Sequence, residues 1–238
     1  MSDSASGPLK AFCDTLIAHG QPERLAQQHG FTAEVAQAFA VLARRDTPGN
    51  RQRTRCNPVF LDSDGAERYV AMREALAALQ QDEIPAALQG RTILALNYEA
   101  LMAGVDTQAL VRRANQIAVT YPQMSQGYVQ AWRQWEQQNL AYQRLLDVLA
   151  ALQGRTAPTV LFIDHLHRML GGGWSHYPFD AAPVLKPLLN RRLIQIWGAC
   201  TLIDYRIVER DPSIQHCCQY VLLPSAHLPT STPNSRRL

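Results

Sequence analysis

Nowhere do the 238 residues offer the roughly 20 consecutive apolar side chains of a membrane span, and Met1 to Lys10 has no signal-peptide core. A cytoplasmic protein without a membrane partner is the expectation. No basic run is interleaved with aromatics, and a formal charge of +3 is mild, so nucleic acid is not an expected partner. Cysteine is sparse and irregular: Cys13, Cys56, Cys200, Cys217 and Cys218 form an odd set with no CxxC pair, which speaks for reduced thiols and against a disulfide framework. His216 beside Cys217 and Cys218 finds no second ligand pair at usable spacing, so no metal is expected.

The length suits one α/β domain. Met1 to Pro8 is Ser/Gly/Pro-rich and is expected to be disordered, as is the Pro/Ser/Thr-rich tail 225–238. Apolar spacing predicts helices over Lys10 to His19 and Thr32 to Arg45, with an exposed loop over Asp46 to Arg55. Five β-rich runs follow, at Pro58 to Leu61, Thr92 to Leu96, Thr159 to Ile163, Leu193 to Gly198 and Tyr220 to Leu223, alternating with helical segments. That alternation implies a parallel sheet covered on both faces. Between the second and third runs, Gln123 to Gln153 reads as one extended amphipathic helix. Its Trp132 and Trp135 suit either core packing or display to a partner.

The run Thr159-Val-Leu-Phe-Ile-Asp-His-Leu-His ends on a carboxylate, Asp164, as a buried parallel strand does when it delivers an acid to the C-terminal edge of a sheet. It resembles the Walker B segment of the ClpA/ClpB/ClpV class of AAA+ unfoldases, with His165 in place of the family's glutamate. Asn57-Pro-Val-Phe-Leu61 resembles the strand before that family's phosphate loop, and Arg91 to Leu96 and Ala100 to Gly104 resemble its next strand and turn. Leu185-Lys-Pro187 resembles its Leu-Lys-Pro helix, and Gly198 to Leu202 with Tyr205-Arg206 its sensor-1 strand, which contains Thr201. Gly30 falls in the nucleotide-base loop. The resemblance, to the first nucleotide-binding domain of that class, spans roughly Pro8 to Pro224. It implies a P-loop NTPase-like (AAA+) three-layer α/β sandwich over residues 9–224, with a five-stranded parallel sheet, a helical insertion at about 119–157 and no C-terminal helical lid.

The departures fall on the positions that handle nucleotide. A phosphate loop G-x-x-x-x-G-K-[ST] wraps phosphates with backbone amides, a lysine and a hydroxyl on magnesium. Here it reads Asp62-Ser-Asp-Gly-Ala-Glu-Arg-Tyr69. Asp62 and Glu67 replace the two glycines, Gly65 survives inside the loop, Arg68 replaces the lysine, and Tyr69 replaces the small hydroxyl. Arginine is no conservative substitute for a lysine point charge. Gln215 to Cys218 matches the family's arginine-finger segment without its arginines, and Asp106 to Ala109 falls near the pore loop without its tyrosine. His167 is expected to be structural, Gly171 to Gly173 a turn, and His176 part of a loop.

The resemblance therefore implies a degenerate AAA+ domain. Its nucleotide pocket, Gly30, Asp62, Gly65, Glu67, Arg68, Tyr69, Asp164 and Thr201, is vestigial, with Asp164 and His165 as relics of catalysis and no bound ATP or magnesium. The corresponding function is a catalytically inactive interaction, regulatory or scaffold module. Its expected partner is a protein, either a Clp-class ring or a secretion-associated component. The alternative is a divergent nucleotide-dependent AAA+ enzyme or chaperone using Arg68, Asp164 and His165 in an altered pocket. A third reading is an adaptor that recognises its partner through Trp132 and Trp135.

Overall fold

Val59 to Leu61, Val160 to Ile163 and Ile196 to Cys200 are buried along their whole length, so each must be covered on two faces. A computed structural model describes residues 7–15, 32–47, 49, 55–81, 84–122, 125–170, 180–210 and 212–224. In chain order its elements are α1 (Gly7–Phe12), β1 (Cys13–Thr15), α2 (Thr32–Ala43), β2 (Asn57–Asp62), α3 (Glu67–Gln80), β3 (Thr92–Leu96), α4 (Tyr98–Met102), α5 (Thr107–Thr120), α6 (Gln126–Gln138), α7 (Leu140–Gln153), β4 (Thr159–Ile163), α8 (Ala182–Asn190), β5 (Gln195–Thr201), α9 (Leu202–Glu209), α10 (Pro212–Cys217) and β6 (Cys218–Leu222). The sheet order is β1-β3-β4-β5-β2-β6, with β1 antiparallel to β3 and every other pairing parallel.

Alternation along the strands feeds two cores. Phe60, Phe162, Trp197 and Val221 point to the face covered by Val35, Phe39 and Leu42 of α2 and Met72 and Leu76 of α3. Val59, Leu61, Leu161, Ile163 and Ile196 point to the other, under Leu145, Val148 and Leu149 of α7 and Leu185 and Leu189 of α8. These are the outer layers of the expected sandwich.

The sheet has six strands where five were expected. The sixth, β1, lies within the segment whose spacing suggested a helix over Lys10 to His19. The helix instead covers Gly7–Phe12, so Gly7 and Pro8 are ordered, with Pro8 in the first turn where its missing N–H costs nothing. The chain then extends along β3, Asn97 N–H donating to Phe12 O at 2.9 Å and Asn97 Nδ2 to Asp14 Oδ2 at 3.1 Å. Pairing with an open strand edge overrides a short helical periodicity. Residues 1–6, 16–31 and 225–238 lie outside the described residues, and so do the expectations stated for them. The remaining strands match the expected runs within about three residues, with β5 and β6 shifted most.

The long Gln-rich helix is divided. Asn139, fully buried and extended at φ −82° and ψ 103°, ends α6 through its N–H to Glu136 O and starts α7 by accepting Tyr142 N–H on Oδ1 at 3.2 Å. Asparagine competes with helix through local side-chain bonds of this kind. Only α7 carries a full apolar stripe into the core; α6 buries Ala131 and Trp135.

Two buried amides fix the strand ends. Asn57 Nδ2 donates to Cys217 O at 2.8 Å and its Oδ1 accepts Ile196 N–H at 2.9 Å, joining β2 to β5 and to the start of β6. Gln195 Nε2 donates to Leu42 O and Cys56 O, while its Oε1 accepts from Arg91 Nη1. With the central strands parallel, Asp62, Asn97, Asp164 and Thr201 all arrive at one C-terminal edge.

Candidate functional site

At that edge β2 ends on Asp62, fully buried, and the chain turns through 63–66 into α3. Ala66 N–H donates to Asp64 Oδ1 at 3.0 Å, and Gly65 takes φ +94°, a conformation that side chains with a Cβ resist. Arg68, in the first turn of α3, is 2 % exposed. Its backbone N–H donates to Asp62 Oδ2 at 3.3 Å and its Nη1 to Asp62 Oδ1 at 3.2 Å. Its Nε lies 2.9 Å from Asp164 Oδ1 as an ion pair, although the N–H is not aligned for a hydrogen bond. Nη2 reaches His165 Nε2 at 3.2 Å. A Cβ built on Gly65 would stand 3.3 Å from both Nη1 and Nη2, so the guanidinium packs directly over the surviving glycine.

Asp164 is shared. Tyr69 Oη donates to its Oδ2 at 2.6 Å, and His165 N–H donates to its Oδ1 at 2.7 Å. His165 occupies the left-handed region at φ 49°, which histidine tolerates better than most side chains. Helix N-termini attract anions; at α3 the anion is the protein's own Asp62.

The titration directions follow from this geometry. Burial raises the Asp62 carboxyl above its ordinary range against the opposing pull of Arg68, because that single cation is divided between two acids. Burial alone would lower Arg68, but Asp164 and Asp62 outweigh it and hold the guanidinium up. Burial raises the Tyr69 phenol, and its bond to Asp164 adds to the rise. Burial lowers His165, partly countered by Asp164 and reinforced by Arg68, and it lowers His167 against the pull of Asp204. Both imidazoles therefore favour the neutral form.

The structure brings Asp62, Gly65, Arg68, Tyr69, Asp164 and His165 into one cluster; Gly30 lies outside the described residues, as do Gly171 to Gly173 and His176. Glu67 is buried at the α3 start and accepts from Ser63 Oγ at 3.5 Å. Thr201 is committed to a helix cap, its Oγ1 donating to Asp204 Oδ2 at 2.8 Å and accepting Asp204 N–H at 3.2 Å. His167 is buried, with Nδ1 3.6 Å from the same Asp204 oxygen. Asp106 caps α5 through Ala109 N–H at 2.9 Å, so this stretch opens a helix. Gln215 to Cys218 spans the end of α10 and the start of β6, where the Cys217 thiol donates to Asn190 Oδ1.

Trp135 is enclosed by its own chain. It is 3 % exposed, and its Nε1 donates to Leu110 O at 3.2 Å, tying α6 to α5. Trp132 is half-buried between Tyr128 and Trp135, with ring centroids 5.9 Å and 4.9 Å away. All five cysteines are free thiols, and burial pushes Cys13 and Cys200 up to about 12. Among the described residues no group of three or more His, Cys, Asp or Glu is placed to hold a metal ion. Sequence reading missed Asp204 as the partner of Thr201 and His167, and Tyr69 as a ligand of Asp164; the first carried an N-cap signal, Thr-x-x-Asp, while the second spans 95 residues and leaves no local trace.

No protein-family model matches the chain. The chaperone ClpB of Vibrio vulnificus is 28 % identical over 216 residues, covering 90 % of this chain and 21 % of that protein. ClpB of Bacillus cereus is 26 % identical over 215 residues, covering 90 % and 20 %. The closed-state cryo-EM structure of Hsp104 with ATPγS and FITC casein superimposes with a TM-score of 0.61 at 23 % identity, over 92 % of this chain and 32 % of that one. This chain resembles a Clp-class AAA+ nucleotide-binding domain. The Hsp104–ADP complex of S. cerevisiae gives a TM-score of 0.56 at 22 % identity, over 90 % of this chain, consistent with the same AAA+ fold. The chain spans about a fifth of the length of the Clp-class relatives it matches. Among the described residues no helix is long and apolar enough to cross a membrane.

Proposed function

We propose that this chain is a catalytically inactive AAA+-like module of the cytoplasm that acts by binding protein, as a regulator or scaffold of a Clp-class ring or a secretion-associated assembly. The observation that carries this reading is the Asp62–Arg68–Asp164 closure. Where the family's loop would wrap phosphates, Arg68 lies over Gly65 and is neutralised by two acids of the chain itself.

The residues present do not fit a magnesium triphosphate. The α3 N-terminus already holds a carboxylate, Asp62, and a phosphate entering there would meet that buried negative charge. Tyr69, whose hydroxyl donates to Asp164, puts a bulky phenol where the phosphate loop needs the small alcohol that would sit on magnesium. His165 is the residue beside Asp164 with proton-transfer chemistry, yet its ring faces Arg68. The proposed role therefore involves no ATP step. The Clp-class relationship supports a protein-handling context, and a fold retained around an altered loop supports a role for its surfaces.

An ATP hydrolysis assay on the purified chain, beside Asp164→Ala, tests the proposal. No turnover above buffer is expected from either protein. Turnover by the parent that Asp164→Ala abolishes would overturn the reading.

A further inference from the structure

The two edges of the sheet differ. At one edge β1 has three residues and carries Asp14, a charge of the kind that discourages further pairing. At the other, β6 runs for five residues, Cys218–Leu222, and neither it nor Leu223 is charged, glycine or proline. Such a strand lacks the usual guards of an exposed edge. Its inner side pairs in parallel with β2, and Leu223 N–H donates to Leu61 O at 2.8 Å. Backbone groups alternate in direction along a strand, so those of Gln219 and Val221 turn to β2 with Leu223, while those of Tyr220 and Leu222 turn outward. The Tyr220 carbonyl meets the Gln219 side-chain amide at 3.5 Å, the outer limit of a hydrogen bond. Among the described residues no strand pairs with this outer side.

The side chains on one face of β6 are open as well. Val221 is buried in the core under α2, whereas Tyr220 is 54 % and Leu222 57 % exposed. Tyr220 touches Tyr205 of α9, with ring centroids 5.5 Å apart, and the first turn of α9 exposes Leu202 and Ile203. Together these side chains leave about 400 Å² open on each copy, the size at which a patch on a monomer marks an interaction site. We propose that β6 pairs antiparallel with β6 of a second copy, centred on Tyr220, so that two six-stranded sheets join into one. That register sets Tyr220 against Tyr220, Cys218 against Leu222 and Gln219 against Val221, and no charge faces a like charge. Two such patches and two strand backbones bury on the order of 1,000 Å², between a crystal contact and a standard interface, which suits a reversible dimer. The interface is isologous and the guarded β1 edge offers no second one, so assembly closes at two. The chain's own residues 225–238 fit the edge less well, because Pro229 and Pro233 interrupt the donors a strand there would need.

The proposal goes beyond the reading of the chain as an inactive module and stands whether or not nucleotide binds. The test is sedimentation equilibrium on the full chain from about 1 to 100 µM, where a reversible monomer–dimer equilibrium with a Kd inside that range is expected. Tyr220→Lys and Leu222→Lys each place a charge on the open edge and are expected to weaken the dimer about tenfold or more. Val119→Lys, at an 88 % exposed position on α5, is expected to leave it within about twofold. Hydrogen exchange on the unaltered chain reads the pairing directly and does not depend on a variant folding: the amides of Tyr220 and Leu222 are expected to exchange more slowly at high than at low protein concentration. A parent that stays monomeric throughout, a dimer that both lysine variants leave intact, or assembly beyond two copies would each overturn the proposal. So would a dimer in which exchange at Tyr220 and Leu222 is independent of concentration, since it would then form through another surface.

Discussion

Replacing Arg68 by methionine keeps much of its volume and removes the charge that two acids share. The ion pairs lie at 3.2 Å to Asp62 and 2.9 Å to Asp164, and Arg68 is 2 % exposed. At an effective dielectric of 20 each contact is worth about 5 kcal/mol of Coulomb attraction, and desolvation of the ions takes back a large part of it. What Arg68→Met leaves behind is Asp62, fully buried and uncompensated, and breaking a buried pair in this way costs about 3–5 kcal/mol. For a domain of this size that lowers Tm by roughly 6–20 °C. Asp62→Asn in the same background removes the stranded charge, while Asp164 keeps its bonds from Tyr69 and His165 and stays partly solvated. The double variant should therefore be more stable than Arg68→Met alone, with the loss reduced to about 1–2 kcal/mol. Urea unfolding of parent, both singles and the double at pH 7 completes the cycle. A loss below about 0.5 kcal/mol in Arg68→Met, or a double variant as unstable as the sum of the singles, would refute a coupled buried closure.

The histidines set a pH dependence. His165 and His167 titrate below their ordinary 6.5 in the fold, so as pH falls through 6.5 the unfolded chain takes up protons that the folded chain refuses. Stability should then drop from pH 7 toward pH 5, and His165→Asn, which tolerates the left-handed backbone, should flatten part of that slope in urea melts at several pH values; an unchanged slope would count against it. Asp62, raised above its ordinary 3.8, acts with the opposite sign at lower pH, where the fold binds its proton more readily than the unfolded chain does. Asn57→Ala deletes two buried hydrogen bonds and leaves Cys217 O and Ile196 N–H without these partners, a loss of about 1–3 kcal/mol for each group, to be read in the same unfolding assay. Trp135→Ala should cost about 3–5 kcal/mol and Trp132→Ala clearly less, because only the former is enclosed between α5 and α6; equal losses would contradict that placement.

The parallel strands were legible because burial on both faces demands continuous apolar runs, as at Val160 to Ile163 and Ile196 to Cys200. Asp164 could be placed at the sheet edge for the same reason, since a run of that kind ending on an acid has a direction. The extra strand β1 was not legible: three residues, Cys13 to Thr15, carry too little pattern, and their state is fixed by the β3 edge beside them. Asn139 looked like an ordinary polar position in a long helix, and only its two opposed caps reveal the break. At the site the sequence named Asp62, Arg68, Tyr69 and Asp164 individually, as departures from a motif. That they satisfy one another is a property of contacts between residues 6, 95 and 96 positions apart in the chain, which local periodicity does not encode. Trp135 shows the converse, where composition allowed a displayed side chain and packing against Leu110 buried it.

Whether the closed edge takes nucleotide is the most direct question to put to the molecule. Isothermal titration of the purified chain with ATP and with ADP, each in magnesium buffer, reads this without relying on turnover. No heat of binding is predicted for either nucleotide up to millimolar concentration. Saturable one-to-one binding in the micromolar range, weakened by Asp164→Ala, would contradict the claim that Arg68 and its two acids have taken the place of the phosphates.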